Sequence, residues 1–221
     1  MSTEGTVHSG NVAGGNLLSQ GVANTLIALV LKIRALVDWC GRWASLLFVP
    51  MIVITVYDVC LRKTGKLQID LKYAAENIGL GPVFESTLLQ ETEWHLHTAL
   101  FALVLGFGVV WNTQVRVDVI REHLRFRRKA WLELLGSTFF MIPFTICVFF
   151  FAAQFAYESW AIMEISASQV GLPYRYIIKT IFTLGLLVAI IAGISVWLQS
   201  FLALFAPEGT RFELMTLEWP E

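Results

Sequence analysis

The sequence predicts an all-α integral membrane protein with four transmembrane helices, N- and C-termini both cytoplasmic, and additional interfacial helices. Three observations carry this reading. The 221 residues are 56% hydrophobic and only 15% charged, with a mean hydropathy of +0.65, whereas soluble domains are typically about 25% charged. Two runs, 134–157 and 180–206, hold 24 and 27 residues without a charge, more than the roughly 20 that cross a hydrocarbon core of about 30 Å. Six of the 16 Lys and Arg residues fall between positions 112 and 129, the cationic excess expected of a cytoplasmic loop.

Residues 1–21 are rich in Gly, Ser and Asn and contain no Lys or Arg. That composition predicts a flexible tail and argues against a cleaved signal peptide, which would open on a basic segment. The stretch 22–42 is apolar apart from a few positions such as Lys32 and Arg34. It reads as a helix lying at the interface or extending the first span. The four-span domain then covers 43–206, with spans at about 43–61, 94–115, 134–157 and 180–206, and 207–221 is a C-terminal tail.

Arg42 and Asp58 bound the first span, and Pro50 in its middle predicts a kink, because proline removes a backbone donor. The second begins with Trp94, His95 and His97 and then runs 18 residues, 98–115, without charge. Placing 112–129 inside puts ten of the Lys and Arg residues on that side and six on the other, in segments 62–93 and 158–179. The 67–77 portion suits a short helix on the membrane surface, ended by Gly79, Gly81 and Pro82. Trp and Tyr residues including Trp43, Trp94, Trp111, Trp131, Trp160 and Tyr174 mark the span borders.

Net charge is −1, which neither favours nor suggests nucleic acid as a partner. The three cysteines, Cys40, Cys60 and Cys147, have no paired or metal-ligating spacing and read as packing residues. Glu91 with His95, and Glu93 with His97, are spaced i, i+4, yet the two pairs point about 200° apart on a helix. Polar anchoring at the outer interface is therefore preferred over a metal site. Because His95 and His97 share one helix, haem held between facing histidines is disfavoured. No cofactor, metal or catalytic residue is expected in this chain.

Asp, Glu, Lys and Arg are confined to the span borders, with Asp58, Glu133 and Lys179 nearest the interior. Solute pathways normally need polar groups inside the bundle, so the chain is not expected to translocate a solute alone. Thr145, Gln154 and Thr183 read as hydrogen-bonding partners between helices. Gly185, Ala189 and Gly193 form a small-residue stripe on the fourth span, and Ala102 with Gly106 a shorter one on the second. Such stripes serve close packing within the bundle or against a partner.

Three segments, taken in order, resemble the small membrane subunit (DctQ-type) of tripartite ATP-independent periplasmic (TRAP) transporters. They are ETEWHLH at 91–97, VRVD at 115–118 and GLPYRYIIK at 171–179. The likeness runs from about 43 to 200 and marks Glu91, Trp94, His95, Arg116, Asp118, Pro173 and Arg175 as motif or interface residues, beside the Gly185, Ala189, Gly193 stripe. The resemblance implies a multi-pass protein of the bacterial inner membrane that is not an enzyme. Its partners would be a large multi-span transporter subunit, a periplasmic solute-binding protein and membrane lipids. In that family, transport of a small solute such as an organic acid is sodium-driven, and the large subunit moves while the small one stays fixed. The segment 62–90 is longer than the resemblance leads one to expect. The competing reading is a membrane anchor for a haem- or quinone-linked redox enzyme, and a third is a self-associating protein using the glycine stripe.

Overall fold

The computed structural model describes residues 18–114, 123–168, 170–207, 210, 212–217 and 219. The regular structure among these residues is all helical, without strands. The helices are α1 (Gln20–Ser45), α2 (Phe48–Thr64), α3 (Lys66–Glu76), α4 (Ser86–Val110), α5 (Phe126–Gly136), α6 (Ile142–Ala161) and α7 (Tyr176–Phe205). A 3₁₀ turn (Gly81–Phe84) precedes α4, and a π-helical stretch (Ser137–Met141) joins α5 to α6. Four units are long and apolar enough to cross a membrane: Gln20–Thr64, Ser86–Val110, Phe126–Ala161 and Tyr176–Phe205. The chain is thus a multi-pass membrane protein.

The bundle is organised around α4 and α7, which run parallel. Gly185 lies so close to the Ala102 backbone that a Cβ there would sit 2.5 Å from the Ala102 carbonyl carbon. One turn further on, a Cβ on Gly106 would meet the Val188 carbonyl oxygen at 3.0 Å. The approach at Gly185 is too tight for any side chain, and at Gly106 the Val188 residue would have to give way, so glycine sets the helix separation. In a bilayer, where hydrophobicity does not drive helices together, such close packing is a main source of cohesion. Ala189 is buried in the same seam, while Gly193 packs against Met141.

Ends and breaks have local causes. Ser19 caps α1 by accepting from the Val22 N–H at 3.4 Å. The first crossing breaks at Leu46 and Leu47, one turn before Pro50, because Pro50 offers no N–H to the Leu46 carbonyl. Gly65, with φ +52°, turns α2 directly into α3. Pro143 has the same effect on the third crossing, where the π stretch lies immediately before it. Its Thr138 hydroxyl bonds back to the Leu134 carbonyl at 2.7 Å and accepts from Trp197 Nε1 at 2.8 Å.

Call the end where α4 and α7 begin the upper end. From there α4 spans 25 residues and α7 spans 30, so α7 runs well past Val110 at the lower end. Chain from the C-terminal segment fills the vacated place. Met215 packs with Ala23 and Val30 of α1, Val109 and Val110 of α4, and Val196 and Leu202 of α7. Its backbone N–H donates to Gln199 Oε1 at 2.7 Å, and Gln199 Nε2 donates to the Thr216 hydroxyl. Thr216 in turn donates to Glu133 Oε2 of α5 at 2.5 Å. Gln199 is wholly buried, and a buried amide in an apolar bundle requires such partners. Arg34 pairs with Glu213 at 2.9 Å, and the Trp219 ring stacks on Phe126 with centroids 5.1 Å apart.

Several sequence expectations change. The second helix starts at Ser86 and ends at Val110 rather than covering 94–115, since the upper polar residues are themselves helical. Thr145 and Thr183 bond carbonyls one turn back on their own helices, at 2.7 and 2.9 Å, and Gln154 bonds Glu158 on α6. None of the three joins two helices; Trp197 of α7, donating to Thr138, and Ser200 of α7, donating to Glu133 of α5 at 3.4 Å, do so instead. Cys60 and Cys147 are exposed on the bundle surface rather than packed inside it.

Candidate functional site

The densest polar constellation lies at the upper end and centres on Glu91. Its residue is only 7% exposed, and a carboxylate at that depth must find donors or lose its charge. Oε1 accepts from the Ser166 hydroxyl and from Arg175 Nη2 at 3.3 Å, while Oε2 accepts from the Leu172 N–H at 2.5 Å. All three donors come from the α6–α7 connection or the residue just before α7. Glu91 therefore fastens α4 to a segment 75 to 84 residues away in the chain.

The backbone bends to make this possible. A Cβ on Gly171 would collide with Ser166 and lie 2.6 Å from Glu91 Oε2, so only glycine lets the loop close over the carboxylate. Tyr174 holds a left-handed backbone with φ +63°, a conformation unfavourable for a bulky residue. On either side of it the Leu172 N–H is held by Glu91, and the Arg175 N–H donates to the Glu164 carbonyl at 3.0 Å.

A second ion pair reinforces the first. Lys179 binds Glu164, and its Nζ lies 3.6 Å from the Phe155 ring centroid on α6. The Lys179 ammonium holds the Glu164 carboxyl below the usual carboxylate range. The Arg175 guanidinium also stands 5.6 Å over the Trp94 ring, a cation–π arrangement. A 510 Å³ cavity opens between these groups, lined by Trp94, Thr98, Phe155, Arg175, Lys179 and Phe182.

The neighbouring corner is tied in the same manner. Asp58, 1% exposed, accepts from Ser86 Oγ at 2.6 Å and pairs with Arg62. Lys72 of α3 pairs with Glu85, which raises the ammonium above its ordinary range. Gln68 Nε2 donates to the Phe84 carbonyl at 2.9 Å. The 62–90 segment is thus a short helix and turn strapped to the top of α2 and α4.

The structure brings Glu91, Trp94 and Arg175 together and places Pro173 at the exposed edge of the same loop. His95 sits against the Trp94 ring, and its Nδ1 lies 2.6 Å from the Glu91 backbone oxygen. The i, i+4 pair of Glu91 and His95 thus involves the Glu91 main chain, because the Glu91 carboxylate is occupied elsewhere. Among the described residues no group of three or more His, Cys, Asp and Glu side chains has metal-holding geometry. Gly185, Ala189 and Gly193 lie inside the bundle against α4 and Met141, which leaves the stripe no free face for a second copy. Arg116 and Asp118 lie outside the described residues.

Sequence reasoning missed Ser166, the Leu172 N–H and Glu164. The GLPYRYIIK segment at 171–179, with its Gly–Pro turn and the cations Arg175 and Lys179, was the available trace. Chemically, the Glu91 carboxylate is engaged by three donors from the α6–α7 connection, an arrangement that holds geometry. No protein-family model matches the chain, and neither curated proteins nor solved structures yield a match.

Proposed function

We propose that this chain is the small, fixed membrane subunit of a TRAP-type secondary transporter in a bacterial inner membrane, with both termini cytoplasmic. One observation carries the reading: 91–97 and 171–179, two of the three segments that taken in order resemble that family, meet in space through Glu91, Leu172 and Arg175. A motif pair that exists to brace α4 against α7 suits a subunit whose task is to stay still. The glycine-set α4–α7 seam supports the same role, since small-residue packing favours one rigid arrangement.

On this reading the large multi-span subunit carries the sodium-driven movement of a small solute, such as an organic acid, delivered by a periplasmic binding protein. The present chain supplies a stationary wall and no catalytic residue. The test is to purify the tagged chain from its native membrane and reconstitute it with and without the large subunit that accompanies it. Sodium-dependent uptake is expected only when both are present. Uptake by this chain alone, or purification of the chain from native membranes without any large multi-span protein, would sink the proposal.

A further inference from the structure

Near the top of α7, the cleft between α4 and α6 places unspent hydrogen-bond donors above an apolar floor. The two helices each pack on α7 and leave between them the 510 Å³ cavity lined by Trp94, Thr98, Phe155, Arg175, Lys179 and Phe182. This cavity straddles a border in the sequence, because charge-free runs begin at Thr98 on α4 and just after Lys179 on α7. At 1.5 Å per residue, Lys179 lies about 6 Å deeper than Arg175, and Phe182 about 4.5 Å deeper again. Cations therefore stand at the outer level and rings at the inner one.

Neither cation is exhausted by its brace partner. Arg175 Nη2 serves Glu91 and Ser166, at 3.3 and 3.5 Å, but Nε is buried without an acceptor among the described residues. A buried guanidinium N–H in that state costs free energy until an acceptor reaches it. Lys179 carries three N–H donors; Glu164 takes one, and the Phe155 ring faces the ammonium. Its side chain is only 14% exposed, so bulk water is a poor substitute for a fixed acceptor. The formal charges of Glu91, Glu164, Arg175 and Lys179 cancel, which leaves a small free anion no net attraction. An acceptor-rich head joined to a hydrocarbon chain gains twice, from the donors and from the rings below them. The grooves beside α2 and beside His95 are lined by no Lys or Arg and offer such a head no cation.

We infer that this cavity binds one membrane phospholipid, its phosphodiester taking donors from Arg175 and Lys179 and one acyl chain descending over Phe155 and Phe182. This goes beyond the functional reading above and does not depend on it. The test is native mass spectrometry of the full chain, stripped of lipid by detergent exchange and titrated with phosphatidylglycerol or phosphatidylethanolamine. A single tightly held phospholipid per chain is expected. Monoolein, which has a chain and no phosphate, and inorganic phosphate, which has no chain, are each expected to leave it in place. Thr98→Trp fills the cavity floor while sparing the Glu91 and Glu164 pairs, and is expected to weaken binding by about tenfold, the effect of excluding a pair of buried methylenes. Phe144→Trp, on the exposed face of α6, should leave binding unchanged. Displacement by monoolein overturns the phosphodiester contact, and displacement by inorganic phosphate makes this an anion site instead of a lipid site. Equal weakening in Phe144→Trp reduces the bound molecule to surface lipid and overturns the inference. So does a chain that retains neither phospholipid, or undiminished binding in Thr98→Trp. The two competitions need no substitution, so they decide the matter even where Thr98→Trp does not fold.

Discussion

The two ends of α7 are both held by polar networks, but the networks differ in electrical character. At the upper end, Glu91 and Glu164 are matched with Arg175 and Lys179, four formal charges placed where α6, α7 and α4 meet. At the lower end the centre is a neutral amide, Gln199, which binds a backbone N–H and a hydroxyl of the C-terminal segment and reaches the Glu133 carboxylate through Thr216. The difference teaches how each end fails. A charged brace strands a buried ion when one member is lost, whereas an amide network strands a dipole.

The largest expected effect is therefore at the top. Arg175→Met should destabilise the detergent-solubilised protein by about 3–5 kcal/mol, the cost of leaving a buried carboxylate without its cation. Thermal unfolding followed by circular dichroism would measure it, and a loss no greater than that of a lower-end variant would break the comparison. Gln199→Leu should cost about 1–3 kcal/mol, because the Met215 N–H loses its partner and the Thr216 hydroxyl one of its donors in a buried setting. It should also free the C-terminal segment, read as faster proteolysis near Met215 with the Glu91 brace unaffected.

The smallest effect is one of acidity. The Glu164 carboxyl is held below its ordinary range by Lys179, so its contribution is complete above the unfolded carboxylate pKa and is lost as pH falls through the lower folded value. Comparing wild type with Glu164→Gln should show a gap of below about 1 kcal/mol at neutral pH that closes as pH falls below about 4. A gap that widened on acidification would mean that the pair does not stabilise the upper end.

The spans were legible because length and hydropathy act locally: 24 and 27 uncharged residues admit few other structures in water or membrane. The Pro50 kink was legible in kind but displaced in place, since the break falls one turn before the proline. Glu91 and Arg175 were each visible as border residues, yet no periodicity links positions 84 residues apart. The sequence therefore reads Glu91 as a polar anchor at the outer interface, whereas its carboxylate is buried against Ser166, Leu172 and Arg175. Gln199 escaped notice because a single amide in a long apolar run carries no charge signal, although its burial decides where the C-terminal segment goes.

The order in which the brace is synthesised has a consequence for biogenesis. Glu91 emerges from the ribosome before Ser166, Leu172 and Arg175, its three partners. During insertion α4 therefore meets the membrane carrying an acid with no mate, and it gains one only after the third crossing has been made and the chain has turned back. A nascent chain halted at Ile165 should leave α4 open to an alkylating probe at a cysteine placed at Leu88, and one halted after α7 should close it. The bundle is thus latched by its last crossing, and a chain stopped before Arg175 remains an unlocked intermediate.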